Sequence, residues 1–219
     1  MKNRSKSLKL LMLIILFPFI GFGQKYDTMI HTAIYTSYFD KSLKVPVVVS
    51  YKLYKGGGNC SRKGLSFNND IKTLCTASDN DYKKSGYDRG HLANAEDFAY
   101  NCDLMKLTFR YYNCVPQTVK LNRGIWKTKE TEIRKISQND SLFVIIINKF
   151  GKLKIGKNVG VPEYCIKATY SLTTLKPISV FYVTNTNLPF YKESTISQVD
   201  SLFSIKVETF LTHYLKKDK

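Results

Sequence analysis

Arg89, Gly90 and His91 lie in the block YDRGHLANAEDF, residues 87–98. On an extended backbone residues i and i+2 point the same way, so Arg89 and His91 can face one phosphate while Gly90 lets the backbone come close. A neutral imidazole, with its ordinary pKa near roughly 6.5, can accept a proton at neutral pH. A guanidinium offers fixed, permanently charged donors to phosphate oxygens. Those groups suit phosphodiester hydrolysis or phosphate binding, yet a histidine beside charges is also common on solvated surfaces. The block by itself decides nothing.

A second set lies in YYNCVPQTVKLNRGIWKTKETEIRK, residues 111–135. Asn122, Trp126, Glu130 and Arg134 follow one another at every fourth position, which on a helix makes one slowly rotating stripe. An amphipathic helix with Trp126 in the core and Glu130 paired to Arg134 would produce the same pattern. Taken together, DRGH followed by N-x-x-x-W-x-x-x-E on a helix resembles the DNA/RNA non-specific endonuclease family, the ββα-metal nucleases. The resemblance also takes in the VSYKL stretch, Asn113 with Pro116 and Gln117, the VGVPEYCIK run at 159–167, and a weak trace at 197–203.

The resemblance implies a role for each matching residue. His91 would be the general base that takes a proton from water. Asn122 would be the single protein ligand of a largely hydrated divalent ion, Mg²⁺ or else Mn²⁺ or another, because an amide oxygen suits a hard cation that keeps its waters. Arg89 and Arg134 would clamp the transition state, Glu130 would hold a metal-bound water, and Asn113 would help arrange the cluster. Arg62, in CSRKG, matches an upstream arginine near the substrate. Two departures stand out: Asn94 occupies a position where many members have proline, and Glu132 leaves the choice of carboxylate open. Members of the family often dimerise, so a homodimer is a further expectation.

Charge agrees with a polyanionic partner, DNA and RNA. Lys2, Arg4, Lys6 and Lys9 precede an apolar run from Leu10 to Ile20, which reads as a signal peptide over residues 1–23 that is cleaved before Gln24. Removing those four groups from 34 Lys and Arg leaves 30 against 17 Asp and Glu, a net +13 for residues 24–219. Such a surplus steers encounter with phosphates. It suits an anionic membrane surface equally, although the apolar run is short for a span and no stable insertion is expected after cleavage. A secreted or periplasmic location would expose Cys60, Cys75, Cys102, Cys114 and Cys165 to oxidation. Spacing leaves their connectivity open; proximity in sequence favours Cys60 with Cys75.

The elements that must position these groups follow from periodicity. Val45–Leu53, Leu142–Asn148 and Ser179–Thr184 are β-branched runs that predict strands, with Tyr164–Tyr170 a weaker one. Tyr87–Leu92 and Phe109–Val115 predict short strands around the histidine block. Residues 122–136 and 197–215 carry helical spacing. Gly56, Gly57 and Gly58 predict a flexible loop, and residues 66–86 a long surface excursion. The fold class is α+β, a central antiparallel sheet with flanking helices and a ββα-metal motif, in a single domain over residues 24–219.

Two other readings compete. A non-catalytic basic protein would bind nucleic acid or an anionic surface without cutting. A nuclease of the D…(D/E)xK kind can point only to Asp70 and Lys72, with no strand signal around them. His31 and His213 have no motif around them and read as structural or surface residues.

Overall fold

The run Val45–Leu53 contains four valines and no glycine, a composition that fits a pleated, buried backbone. In the computed structural model, which describes residues 25–217, it forms strand β3 over the expected bounds. Its sheet is antiparallel and seven-stranded. The order is β1 (Thr28–His31), β2 (Thr36–Asp40), β3, β6 (Leu142–Ile155), β7 (Val159–Ser171), β8 (Pro177–Thr184) and β9 (Tyr191–Glu193). The segment LFVIIIN shows no polar alternation because both faces of β6 are covered. Val144 and Ile146 enter the core shared with Trp126, whereas Phe143, Ile145 and Ile147 meet the helices α4 (Ile196–Phe203) and α5 (Glu208–Lys217).

The first face carries a smaller layer. Strands β4 (Tyr87–His91) and β5 (Cys114–Thr118) pair antiparallel, His91 opposite Cys114, and the chain then enters a wide helical turn, Leu121–Trp126, and helix α3 (Lys127–Ile136). Short helices α1 (Asp79–Tyr82) and α2 (Cys102–Leu107), with 3₁₀ turns at Ala95–Phe98 and Tyr111–Asn113, complete it. This is the α+β class, with flanking helices and a ββα unit. Asn185 ties the small layer to the sheet: its Oδ1 accepts from Thr118 N at 2.8 Å, and its Nδ2 donates to the carbonyls of Pro116 and Pro162, each at 2.9 Å. None of the described helices is long and apolar enough to cross a membrane. The expected signal peptide lies outside the described residues.

Several sequence expectations are corrected. The strand expected at Phe109–Val115 begins only at Cys114, because Tyr111–Asn113 turns to seat the Asn113 amide. The helix expected from Asn122 is interrupted: Gly124 adopts φ −99° and ψ −117°, and α3 starts at Lys127. The helix expected over 197–215 is two, because Ser204 ends α4 in the left-handed conformation at φ 51°.

The glycine triplet is packed rather than free. Gly56 N donates to Ser137 Oγ, Gly56 O accepts from Gln138 Nε2, and a Cβ on Gly58 would lie 2.2 Å from the Ala99 carbonyl oxygen. The 66–86 excursion is likewise anchored. Phe67, Leu74 and Tyr82 are buried in it, and Asp70 accepts from Arg110 Nε at 2.8 Å and from the Tyr112 hydroxyl at 2.9 Å. Among the described residues no strand carries Asp70 or Lys72, as the D…(D/E)xK reading would need.

Cys60 is bonded to Cys102 and not to Cys75, which is exposed and free; Cys114 and Cys165 are free and buried. Cys60 N also donates to Ala99 O at 3.1 Å, which brings the glycine loop beside the start of α2. The bridge closes a separation of 42 residues, for which chain-entropy arguments give about 3–4 kcal/mol. Cys102→Ser should therefore lower unfolding free energy by about that amount in urea titrations, while Cys75→Ser leaves it within about 0.5 kcal/mol. The reverse ranking would restore the Cys60–Cys75 pairing.

Candidate active site

His91 ends β4, and its neighbours there explain the block around it. Gly90 is buried, and a Cβ at that position would lie 2.2 Å from Gln117 Oε1. Glycine leaves the space that the Gln117 side chain from β5 occupies, and a larger residue would have to displace that side chain. Close approach of a phosphate, the expectation drawn from DRGH, is not needed to account for it. Asn113 is fully buried; its Oδ1 accepts from Ala93 N at 2.8 Å, and its Nδ2 donates to Ala93 O at 2.9 Å and Thr108 O at 2.8 Å. One amide thus fixes the backbone two residues past His91.

The imidazole sits in an aromatic cage, 4.5 Å from the Phe67 ring and 4.7 Å edge-on to Phe109. Its Nε2 is buried and has no hydrogen-bond partner among the described residues. Burial, reinforced by the positive charges of Arg62 and Arg89, pushes the His91 pKa down to about 3. The ring is therefore neutral at any physiological pH.

A cleft of about 600 Å³ opens over this ring. It is lined by Arg62, Arg89, His91, Asn122, Glu130 and Arg134 among the residues singled out from sequence, whereas the buried Asn113 does not line it. Arg62 stacks 5.5 Å over the Phe109 ring, and Arg89 5.8 Å over Phe67. Arg89 is also ion-paired with Asp79, whose Oδ1 accepts from the Tyr111 hydroxyl at 2.7 Å. Asn122 lies in the wide turn ahead of α3, a type of helix irregularity frequent at functional sites. Its Nδ2 donates to Asp88 Oδ2 at 3.0 Å. Arg123 holds the same carboxylate with two bonds, 2.8 and 2.7 Å, and these bonds keep Asp88 below the usual carboxylate range.

Glu130 does not pair with Arg134. It is buried, with Asn94 Nδ2 donating to its Oε2 and Lys167 Nζ from β7 donating to its Oε1 at 3.4 Å. Lys167 is only 1% exposed, and its ammonium lies 4.3 Å over the Trp126 ring. Arg134 instead donates through Nε to Asp97 Oδ1 at 2.7 Å, and the Tyr51 hydroxyl donates to Asp97 Oδ2 at 2.8 Å. Burial raises the pKa of both Glu130 and Asp97, and the Asp97 charge raises Glu130 further while Lys167 and Arg134 oppose the rise. Glu132 is exposed and paired to Lys129, so the carboxylate facing the cleft is Glu130.

Asp88, Phe67, Asp97 and Lys167 were missed from sequence. Asp88 lies inside DRGH and could have been suspected, whereas Lys167 is 37 residues from Glu130 and carries no local signal. A larger hollow of about 780 Å³ lies between β8, β9, α4 and α5. Glu193, Asp200 and Glu208 line it and no cation does, so it suits an anionic ligand poorly.

Residues 20–213 match the family model described as DNA/RNA non-specific endonuclease. Human mitochondrial nuclease EXOG is 29% identical over 184 residues, covering 74% of this chain and 50% of that protein. Human mitochondrial endonuclease G is 32% identical over 84 residues, 37% of this chain and 28% of that protein. Among solved structures, an EndoG/EndoGI complex superimposes with a TM-score of 0.70 at 22% identity, covering 82% of this chain and 84% of that one. The chain spans between about a quarter and a half of the length of the curated relatives it matches.

The Glu130–Lys167 pair is a direct test of this architecture. Lys167→Met leaves a buried carboxylate without its cation and should cost about 3–5 kcal/mol. Lys167→Met with Glu130→Gln should recover most of that loss. A single variant as stable as the parent in urea unfolding would mean that the lysine is solvated.

Proposed function

Since the chain belongs to the DNA/RNA non-specific endonuclease family, we propose that it is an extracytoplasmic enzyme that hydrolyses phosphodiester bonds of DNA and RNA without sequence preference. The observation that carries this reading is His91: a neutral, desolvated imidazole with a partnerless buried nitrogen, set among guanidinium groups in an open cleft. A buried polar atom without a partner is costly, and such atoms persist where a ligand supplies the missing bond.

His91 takes a proton from the attacking water as the water oxygen forms its bond to phosphorus. The P–O bond to the leaving oxygen breaks, and that oxygen ends protonated by solvent. Arg62 and Arg89 supply permanent positive charge near the ring, and Arg134, whose Nε is held by Asp97, offers its remaining N–H groups to phosphate oxygens.

The donor set fits a hard divalent ion, Mg²⁺ or Mn²⁺. Asn122 turns its amide nitrogen to Asp88, which leaves Oδ1 for a cation, and Asp88 and Glu130 add only oxygen ligands to the cleft. Asn122 would hold the ion and Glu130 one of its waters; when bound, the ion offsets charge on the leaving oxygen. Export is supported by the basic, apolar leader and by the Cys60–Cys102 bridge, which persists in oxidising compartments.

Mature protein (residues 24–219) should cut plasmid DNA and RNA with Mg²⁺ and stop on chelation by EDTA. His91→Ala should lower kcat by roughly 10²–10⁴-fold, with His213→Ala unchanged. Retained binding without cleavage under any divalent ion would select the non-catalytic basic protein instead.

The pH dependence has a defined sign. The folded His91 pKa lies well below the value of 6.5 for the free side chain. Below 6.5 the unfolded chain binds a proton that the folded site refuses, so stability falls as pH drops from about 6.5 towards 3. The base, in contrast, stays unprotonated and competent throughout that window. The kcat/KM profile should show no inflection from His91 between pH 5 and 7; an inflection near 6.5 in the parent enzyme would contradict the desolvated ring.

A further inference from the structure

The catalytic cleft does not end at Arg89. A second hollow of about 470 Å³, between α1 and the start of β4, shares Asp88 and Arg89 with it and continues over Tyr87, Asn80 and Lys83. Tyr87 and Arg89 are two residues apart on β4, so their side chains share a face at a spacing of roughly 7 Å.

The electrostatics of this hollow are set by which charges are already used. Asp79 is held by Arg89 and the Tyr111 hydroxyl, and Asp88 by Asn122 and Arg123. Asp81, next along α1, accepts from the Ser78 hydroxyl and from Lys157 N at the tip of the β6–β7 hairpin. The two carboxylates that line the groove, Asp79 and Asp88, are thus each paired with a guanidinium, whereas Asp81 does not line it and is held by neutral donors. Lys83, which lines the groove, and Lys84 beside it make no side-chain ion pair or hydrogen bond among the described residues, and Lys44 and Lys157 stand behind them at the hairpin tip. The uncompensated charge along this path is positive, next to an accessible aromatic ring.

We infer that this second groove is a subsite for the nucleotide flanking the scissile phosphate, with Lys83 on its phosphate and Tyr87 against its base or sugar. Such a subsite needs no base-specific donor, since every base has a face to stack and every linkage a phosphate. It rests on the nuclease reading and adds to it the direction in which the substrate strand leaves the cleft, across Arg89 towards α1.

The test uses mature protein, a 12-nucleotide single strand, and the variants Lys83→Gln and Tyr87→Leu, with Lys152→Gln as a control. Lys152 makes the same charge change on an exposed stretch of β6 outside both hollows. Tyr87→Leu should raise KM roughly tenfold, as loss of one stacked base does, with kcat unchanged. Lys83→Gln should raise KM and reduce the slope of log affinity against log salt by roughly 0.7, read by fluorescence anisotropy in EDTA. Lys152→Gln should leave that slope nearly as it is. The inference is overturned if KM is unmoved in both groove variants, or if Lys152→Gln reproduces the Lys83→Gln effect and so reports only net charge. A parent enzyme that binds the strand but never cuts it would sink the nuclease reading while the anisotropy arm still decides the groove.

Discussion

The small layer that carries the site is joined to the sheet through a buried cluster of four charges, and its orientation depends on that junction. Glu130 and Arg134 on α3 pair with Lys167 from β7 and with Asp97 from the 3₁₀ turn after His91, respectively, and Tyr51 of β3 donates to Asp97. Each ion would be expensive to bury alone, and removing one partner strands another. The cluster therefore tolerates few rearrangements. A purely apolar contact between α3 and the sheet could slide by one turn with modest loss, whereas this one specifies which helix face points down. With that face fixed, Arg134 borders the cleft, and Trp126 lies under the Lys167 ammonium and edge-on to Phe181.

An imidazole and a set of cations make opposite demands on one small volume. Guanidinium groups close to an imidazole keep it unprotonated and, by lowering its proton affinity, also weaken its pull on a proton. The aromatic cage of Phe67 and Phe109 does both jobs: it desolvates His91, and its ring faces receive Arg62 and Arg89. The arginines are thereby held near the ring without an acidic partner in contact with it. Asp79, the one carboxylate on Arg89, lies on the far side in α1. The disulfide and the packed glycine triplet belong to the same arrangement, because Cys60 tethers the chain two residues before Arg62.

Much of the fold was legible because it rests on patterns of short range. β3 matched its β-branched run to the residue, and β4 lacked only the expected Leu92. β6 ran past Asn148 because a lysine-rich extension, unlike a core strand in composition, pairs with β7 to make the hairpin. What failed was set by partners distant in sequence. Tyr111–Asn113 turned because Asn113 had three backbone groups to satisfy, two of them on Ala93. The helix at 122 broke at Gly124, a residue that costs a helix interior about 1 kcal/mol and was visible as such in the sequence. The likeness of DRGH and the Asn122 spacing to a known family located the cleft, yet neither Lys167 nor Asp97 could be found that way. Nor could the Gln117 side chain that occupies the space beside Gly90.

Asn94 shows how a departure from the family pattern can be absorbed. Proline at that position would fix the turn after the histidine through its ring, but it brings no donor. Asparagine reaches the same turn by other means: its Oδ1 accepts from Glu96 N at 2.7 Å and caps the 3₁₀ turn, while its Nδ2 donates to Glu130. The substitution trades backbone rigidity for a second hold on the carboxylate. Glu130 is then gripped at both oxygens, by Asn94 from the loop and Lys167 from the sheet, so its orientation no longer depends on α3 alone. The loop after His91 is thereby tied directly to α3, so the two sides of the cleft are bonded to each other.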